Sequence, residues 1–175
     1  MKYADLAAKA RRIKLVLTDC DGVLTDGGVY YGESGEVLKR FNIRDGMGVE
    51  RLRAVGVETG IVTGERSPSV QKRADKLKIT ELHLGIKDKA TLLGEILART
   101  GFQADQVAFI GDDTNDVEIL GLVGLAACPG DATRFARDVA DYRCRARGGH
   151  GAFRELAELI ISAHGGKAPG DEGSE

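Results

Sequence analysis

The sequence predicts an α/β protein with a single doubly wound parallel sheet, a Rossmann-like core, a small β-hairpin flap and no cap domain. Short apolar runs alternate along the chain with segments of helical spacing, which is typical of a parallel sheet covered on both faces. The chain has 175 residues, 42% hydrophobic and 30% charged, so it has the size and composition of one soluble domain. Between Asp21 and Thr63 there is room for a hairpin and one helix, but not for a lid domain.

The first half of the chain opens with an amphipathic helix at residues 1–12, which lacks the apolar core and cleavage site of a secretory signal. A β-branched and aliphatic run predicts the first buried strand, at 13–18. Alternation around Gly32-Glu33-Ser34-Gly35 predicts a hairpin. The predicted elements after the first strand are the hairpin, a helix, the second strand and another helix, at 29–41, 45–54, 57–62 and 69–77.

The second half continues the alternation. A short strand precedes a helix with Leu92, Leu93, Ile96 and Leu97 on one face. Two more strands and a last amphipathic helix follow. These five elements are predicted at 81–84, 87–100, 107–110, 122–127 and 152–163. Gly, Pro, Ser and acidic residues then predict a disordered tail at 165–175, which leaves one domain at 1–164.

Charge and cysteine content narrow the possible partners. The net charge of −2 creates no positive electrostatic potential that would attract nucleic acid or an anionic membrane. No apolar run approaches the roughly 18–20 residues of a membrane span. The three cysteines, Cys20, Cys128 and Cys144, are far apart and lack metal-type spacing. We therefore expect a reduced, cytoplasmic protein that binds neither nucleic acid nor membrane.

Polar residues stand where the predicted strands end. Asp19 and Asp21 follow the first strand, Thr63 ends the second, Lys89 begins the helix after the third, and three aspartates follow the fourth: Asp112, Asp113 and Asp116. Because ligands bind beyond the carboxyl ends of the strands in such sheets, we expect these side chains to meet in one crevice.

The chemistry of such a crevice follows from its carboxylates. Packed together, they repel one another unless a cation joins them, and an all-oxygen ligand set favours a hard ion, Mg2+ first. Asp19 could then attack a phosphoryl group and become an aspartyl phosphate. Lys89 and the Thr63 hydroxyl would bind the phosphoryl oxygens, and Asp21 would transfer protons. The residues therefore predict phosphoester hydrolysis.

Four segments resemble the motifs of the haloacid dehalogenase superfamily in its phosphatase form. They are Leu17-Thr18-Asp19-Cys20-Asp21-Gly22-Val23, Val62-Thr63-Gly64, Lys89 and Gly111-Asp112-Asp113-Thr114-Asn115-Asp116. The resemblance implies that Asp19 is the nucleophile and Asp21 the general acid and base. It also implies that Mg2+ is held by Asp19, the Asp21 backbone carbonyl and Asp112, with Asp113 and Asp116 supporting these ligands from behind.

Further segments resemble the small, capless branch that hydrolyses ulosonate phosphates such as 3-deoxy-D-manno-octulosonate 8-phosphate (Kdo 8-phosphate). They are Asp26-Gly27-Gly28, Phe41-Asn42-Ile43-Arg44-Asp45-Gly46 and the segment from Arg147 to Glu155. The resemblance implies substrate contacts from Asn42, Ile43, Arg44, Asp45, Gly46, Thr63, Gly64, Arg73 and Lys89. It further implies a homotetramer in which a neighbouring subunit helps to close each site.

One position departs from the eight-carbon pattern. Kdo 8-phosphate enzymes usually carry Arg after the Thr-Gly of the second motif, whereas this chain has Glu65. Glu65 together with Lys76 resembles enzymes that act on the 9-phosphates of deaminoneuraminate or sialic acid. Glu65 could instead accept hydrogen bonds from sugar hydroxyls, or pair with Arg66 or Arg73. The longer motif match favours the eight-carbon substrate, and the nine-carbon substrate is the alternative.

Two other classes of protein fit the sequence less well than a phosphatase does. A phospho-accepting signalling receiver carries its acceptor Asp after a middle strand, whereas the Asp19–Asp21 pair here follows the first. A binding module without catalysis would have no need of the complete set Asp19, Asp21, Lys89 and Asp112. Both are less consistent with the sequence. His150 and the arginines from Arg143 to Arg147 receive no assignment.

Overall fold

The computed structural model of the chain describes residues 3–165. In chain order the helices and strands are α1 Tyr3–Arg12, β1 Leu15–Thr18, β2 Thr25–Gly32, β3 Gly35–Phe41, α2 Ile43–Ala54, β4 Glu58–Thr63, α3 Pro68–Leu77, β5 Glu81–Leu84, α4 Lys89–Thr100, β6 Val107–Ile110, α5 Val117–Leu120, β7 Leu125–Cys128, α6 Arg134–Val139, β8 Tyr142–Arg143 and α7 Ala152–Ala163. Apart from Gly165, the predicted tail lies outside the described residues, as do the first two residues of the predicted helix 1–12.

The main sheet has six strands in the order β5-β4-β1-β6-β7-β8, and every neighbouring pair is parallel. From β1 the chain moves outward through β4 and β5, then returns to the other side of β1 to add β6, β7 and β8. The strand order therefore reverses at β1, and the carboxyl end of β1 is the switch point at which such sheets bind ligands. The predicted fold class is confirmed.

Alternate residues of the strands feed two hydrophobic cores. Val16 of β1 packs in a core with residues of α1, α2, α3 and α7, whereas Leu15 and Leu17 pack on the opposite face with residues of α4, α5 and α6. Helices cover both faces of the inner strands β1, β6 and β7, so all residues of these strands are buried. This is why the strands appear in the sequence as continuous apolar runs.

The hairpin β2–β3 stands outside this sheet as a separate antiparallel pair. It starts at Thr25, four residues before the predicted start, because the chain reaches extended geometry directly after the β1 loop. Its apolar residues are largely exposed in the single chain: Tyr30, Tyr31, Val37 and Leu38 are 60%, 73%, 58% and 47% exposed. No separate cap domain occurs within residues 3–165.

Four other elements begin two or more residues from the predicted start. The strand predicted from 13 begins at Leu15, and the helix predicted from 87 begins at Lys89. α2 begins at Ile43, two residues early, because the Asn42 side chain accepts the Arg44 N–H and caps the helix there. β7 begins at Leu125, three residues late, because the Gly124 N–H donates to Ala104 and Val107 carbonyls and the chain is still turning.

Three short elements were missed: α5, α6 and β8. With four, six and two residues, they are too short to show a hydrophobic period. Their positions come from tertiary contacts, as in β8, where the Cys144 N–H donates to the Cys128 carbonyl at the end of β7.

All three cysteines are free and buried. The side chain of Cys20 packs in the hydrophobic core although it stands between Asp19 and Asp21. Burial, followed by the charges of those two aspartates, raises the pKa of the Cys20 thiol well above its ordinary value.

In the described part of the chain, no helix is long and apolar enough to cross a membrane.

Candidate active site

The predicted site residues of the four motifs meet at the carboxyl ends of β1, β4 and β6. Asp19 follows β1, Thr63 ends β4, and Asp112 and Asp113 follow β6. An open crevice of about 210 Å3 is lined there by Asp19, Asp21, Thr63, Gly64, Glu65, Asp112, Asp113 and Asn115. Segments far apart in sequence are brought together because the parallel strands end at the same edge.

A buried lysine lies beneath this crevice, in contact with the lining residue Asp19 but not itself part of the lining. Nζ of Lys89 lies 2.8 Å from Oδ1 of Asp19 and 2.6 Å from Oδ1 of Asp116. Lys89 is the first residue of α4, whose N-terminus is capped by the Asp88 side chain. Burial alone would lower the pKa of Lys89, but the two carboxylates outweigh it and raise this pKa. The lysine is therefore a fixed positive charge.

Asp116 orders the loop after β6. Its Oδ2 accepts the Asp112 N–H at 2.9 Å and the Asp113 N–H at 3.4 Å, while its Oδ1 is held by Lys89. Both oxygens are thus occupied within the protein. Asp113 begins the 3-10 turn that leads to Asp116, and its side chain accepts the Thr114 N–H.

The carboxylates of this site favour a bound cation. Oxygens of Asp19, Asp112 and Asp116 all lie within 4.8 Å of one another. Burial raises the pKa of Asp19 to about 6, although Lys89 opposes the shift. Burial and the charges of Asp19 and Asp116 raise the pKa of Asp112 to about 8. A divalent cation would offset this repulsion, and the all-oxygen donor set fits a hard ion.

Asp21 is held by the hairpin. Lys39 Nζ lies 2.5 Å from its Oδ2, and the Thr25 hydroxyl lies 3.2 Å from its Oδ1. Lys39 was missed in the sequence, where it reads as one of several charges on the hairpin. No sequence signal separated it from the other charges, because only the fold shows that Lys39 is buried while Leu38 and Arg40 are exposed.

Close backbone packing joins the loop after β1 to the Arg-Gly-Gly segment at 147–149. A Cβ on Gly148 would lie 1.9 Å from the Gly22 carbonyl oxygen, and one on Gly22, at φ +88°, would meet the Asp112 carboxyl. Next to it the Gly149 N–H donates to the Val23 carbonyl. The glycines of this segment therefore allow two loops to lie in contact.

The second motif supplies one wall of the crevice. Thr63 is buried at the end of β4, and its hydroxyl accepts the Glu65 N–H at 3.3 Å. Glu65 is exposed and makes no ion pair with Arg66 or Arg73 among residues 3–165. The structural ion pair weighed for Glu65 is therefore absent there, and its carboxylate faces an open crevice.

The remaining predicted substrate contacts do not line this crevice. Asn42, Asp45, Gly46 and Arg73 instead line a separate small cavity of about 10 Å3, which has room for about one water molecule. The other three lie elsewhere: Ile43 and Arg44 are exposed at the start of α2, and Lys76 is exposed on α3.

Asp45 joins α2 to α7. Its Oδ1 accepts the Arg154 N–H at 2.9 Å near the start of α7. Its Oδ2 is buried at the small cavity with no hydrogen-bond partner among the described residues, as is the Thr59 hydroxyl. In this single chain Asp45 holds the fold together near the crevice.

Comparison with known proteins agrees with the motifs. The model of the haloacid dehalogenase-like hydrolases matches residues 84–156. A 3-deoxy-D-manno-octulosonate 8-phosphate phosphatase from Yersinia pestis is 41% identical over 159 residues, which cover 91% of this chain and 85% of the relative. The chain belongs to the haloacid dehalogenase-like hydrolases, in the branch of the 3-deoxy-D-manno-octulosonate 8-phosphate phosphatases.

Solved structures of this branch share the fold. A Moraxella catarrhalis phosphatase in complex with magnesium, phosphate and KDO is 35% identical, with a TM-score of 0.89 and 93% of each chain covered. A cobalt-bound Haemophilus influenzae phosphatase is 36% identical, with a TM-score of 0.87, 90% of this chain and 92% of that chain covered. Together with the acidic cluster, these relatives support a divalent metal ion as the class of cofactor.

A pH-dependent stability is expected from Asp45. Burial raises its pKa from 3.8 to about 6. Between these values the unfolded state releases the proton while the folded state keeps it, so the contribution of this group to stability falls as pH rises. Asp45→Asn cannot ionise but keeps the Oδ1 acceptor. Relative to the wild type, this variant should gain up to about 3 kcal/mol of unfolding free energy between pH 4 and pH 7.

Chemical unfolding at a series of pH values measures this difference. Glu95→Gln, at an exposed position of α4, serves as the control and should show no such trend. A constant difference between Asp45→Asn and the wild type across the range would contradict the assigned cause.

Proposed function

We propose that this chain is a Mg2+-dependent phosphomonoester hydrolase that acts through a phosphoaspartate on Asp19, with Kdo 8-phosphate as substrate and Kdo plus phosphate as products. The observation that carries the proposal is the buried Lys89 bridge between Asp19 and Asp116, beside Asp112 and Thr63 at the switch point of the sheet. In this proposal Asp19 would be the carboxylate nucleophile, Lys89 the fixed cation and Thr63 the hydroxyl donor.

The first step transfers the phosphoryl group to Asp19. Oδ2 of Asp19 would attack phosphorus, while Oδ1 accepts the Lys89 hydrogen bond and keeps a second lone pair for the metal. The new Asp19–phosphorus bond forms as the bond to the sugar oxygen breaks, and Asp21 donates a proton to that leaving oxygen. The Lys89 charge and the Thr63 hydroxyl would stabilise the phosphoryl oxygens.

The second step regenerates Asp19. A water molecule attacks phosphorus from the side that the sugar has left, and Asp21 accepts its proton. The bond between phosphorus and Asp19 breaks, which releases inorganic phosphate and restores the free carboxylate. One carboxyl group thus acts as acid and then as base at the same place.

We assign the metal to Asp19, the Asp21 backbone carbonyl and Asp112. Asp116 is left out because both of its oxygens are already engaged by Lys89 and two backbone N–H groups. When bound, Mg2+ would supply positive charge that offsets the carboxylates and the phosphoryl oxygens. Asp113 and Asp116 would support the ligand loop from behind.

The eight-carbon substrate is supported by relatives named for Kdo 8-phosphate. Glu65 remains the feature that points to a nine-carbon 9-phosphate, through its resemblance to the enzymes that act on those substrates. Where an Arg could bind the substrate carboxylate, a Glu would repel it. The exposed Lys76 on α3 lies outside the crevice lining, so this chain does not bring the nine-carbon pair together there.

We further propose a cytoplasmic homotetramer. The hairpin exposes four large apolar side chains, and a crevice without a lid needs a cover to exclude water. A hairpin from a neighbouring subunit, packed over the crevice, would bury its own apolar side chains and exclude water from the site. The free, buried cysteines are consistent with a reducing compartment.

The chemistry is tested by substitution and chelation. Asp19→Asn should lower turnover of Kdo 8-phosphate by orders of magnitude, since it removes the nucleophile. Asp21→Asn should lower it by ~10²–10⁴-fold through loss of proton transfer. Excess chelator should abolish wild-type activity, Mg2+ should restore it, and Asp112→Ala should raise the Mg2+ concentration required.

Asp138→Asn, an exposed change on α6, is the matched control and should be fully active. Activity of Asp19→Asn within tenfold of the wild type, in protein checked for deamidation, would contradict the phosphoaspartate mechanism. Full activity in excess chelator would contradict the proposed requirement for a metal ion.

Substrate choice is tested at Glu65. Glu65→Arg should shift the ratio of kcat/KM between Kdo 8-phosphate and a nine-carbon ulosonate 9-phosphate toward the former by ~1–3 kcal/mol. Glu95→Arg reverses an exposed charge on α4 and should leave the ratio unchanged. An unchanged ratio in Glu65→Arg as well would mean that Glu65 does not choose the substrate.

Assembly is tested by light scattering. The wild type should have about four times the 18.7 kDa mass of the chain. Tyr31→Glu combined with Leu38→Glu should dissociate it and lower activity, because charges would enter the apolar hairpin surface. Val139→Glu, on the exposed part of α6, should do neither. A fully active wild-type monomer at assay concentration would refute the shared site.

A further inference from the structure

Lys39 is a buried lysine on a largely exposed hairpin. Its side chain is 0% exposed, and its Nζ lies 2.5 Å from Oδ2 of Asp21 and 3.5 Å from Oε2 of Glu36. The next residue, Arg40, points to solvent and pairs with Asp26 instead. One side chain of β3 is thus directed into the crevice wall, toward the carboxyl group that the proposed mechanism uses for proton transfer.

The position of the Asp21 carboxyl is set by two contacts. Lys39 binds Oδ2 through a short charge-assisted hydrogen bond, and the Thr25 hydroxyl makes a longer contact of 3.2 Å with Oδ1. Both contacts come from the hairpin, because Thr25 begins β2 and Lys39 lies on β3. Of the two, the lysine contact is the stronger, so it determines the orientation of the carboxyl group.

Lys39 is itself anchored from the other side. Glu36 accepts a hydrogen bond from the Ser67 hydroxyl, and Ser67 caps α3 directly after the Thr63–Glu65 wall. The contacts therefore run from the β1 loop through the hairpin to the N-terminus of α3. They tie the two walls of the crevice together at the level of the hairpin.

The geometry of phosphoryl transfer explains why a fixed carboxyl would matter. The sugar oxygen leaves, and water enters, on the side of phosphorus opposite Asp19. The same carboxyl group must reach both oxygens, so a single held position serves both steps, and misplacement by about 1 Å is costly. A purely structural pair would need neither this location nor the approach to Asp21.

We propose that Lys39 is a positioning residue for the reaction: its bond to Oδ2 of Asp21 holds the carboxyl group in line for proton transfer, and Glu36 with Ser67 holds Lys39 in place. This inference rests on the proposed phosphatase function. It adds to the four motifs a residue that belongs to the hairpin.

The test compares two leaving groups. Lys39→Met is assayed on Kdo 8-phosphate, whose sugar alkoxide needs a proton to leave, and on p-nitrophenyl phosphate, whose phenolate leaves without one. The quantity measured is kcat/KM, which reports the steps up to phosphorylation of Asp19. The sugar phosphate should lose ~10²-fold or more, and the aryl phosphate should lose less than ~10-fold. Lys39→Arg should recover part of the loss on the sugar phosphate.

Arg40→Met is the matched control, since it removes an ion pair from the same strand without touching Asp21, and both substrates should stay within ~2-fold of the wild type. Equal losses on the two substrates in folded Lys39→Met would show a merely structural role and overturn the proposal. So would a sugar-phosphate value within threefold of the wild type.

If Lys39→Met does not fold, Glu36→Gln takes its place, because it keeps the lysine and removes one of its two anions. It should show the same selective loss on the sugar phosphate, and an equal loss on both substrates would overturn the proposal. A wild type that hydrolyses neither substrate would instead refute the proposed function, so the two failures are distinguishable.

Discussion

The site depends on one buried ammonium group. Lys89 lies between Asp19 and Asp116 beneath the crevice, and all three side chains are almost fully buried. Removing the lysine would leave two carboxylates without a counter-charge in a low-dielectric setting, which costs several kcal/mol. Because Asp116 also accepts the amides of Asp112 and Asp113, the same lysine indirectly orders the loop after β6. Charge balance and loop geometry therefore depend on a single group.

The hairpin adds a second charged contact at the opposite wall, between Lys39 and Asp21. The two lysines differ in origin. Lys89 belongs to the first turn of a helix of the rigid core, whereas Lys39 is carried by the only antiparallel pair in the described part of the chain. The Lys89 contact is thus fixed by the core of the sheet. The Lys39 contact is fixed by the hairpin, whose apolar side chains are exposed in the single chain.

Most of the fold could be predicted from the sequence because local signals agreed with the tertiary structure. α7 was predicted with both boundaries correct, since its apolar face repeats without interruption from Ala152 to Ala163. The short elements β8 and α6 could not be found, because their positions are set by neighbours in space. The same holds for the site. The motif residues at strand ends were predictable from parallel topology, whereas the ion pair of Lys39 joins positions 18 apart through a hairpin fold that no period reveals.

The split between the crevice and the Asp45 cavity also lay beyond sequence reasoning. The family resemblance groups Asn42 to Gly46 and Arg73 with Thr63 as substrate contacts. Whether these side chains line the crevice or the small cavity depends on how α2 packs against α7. In the single chain the two helices share a hydrophobic core, and the Asp45 contact to the Arg154 N–H is one further link between them.

The burial of Cys20 has a practical consequence for work with this protein. Cys20 stands between Asp19 and Asp21 in the sequence, but its thiol is buried in the hydrophobic core. Cys128 and Cys144 are buried as well. Alkylating and oxidising reagents act on accessible thiolates, so the native chain presents them with no reactive sulfur. A cysteine introduced at the exposed hairpin turn, at Ser34, would be the one site open to a thiol-directed fluorophore. The native background is already suited to site-specific labelling, without replacement of any of its own cysteines.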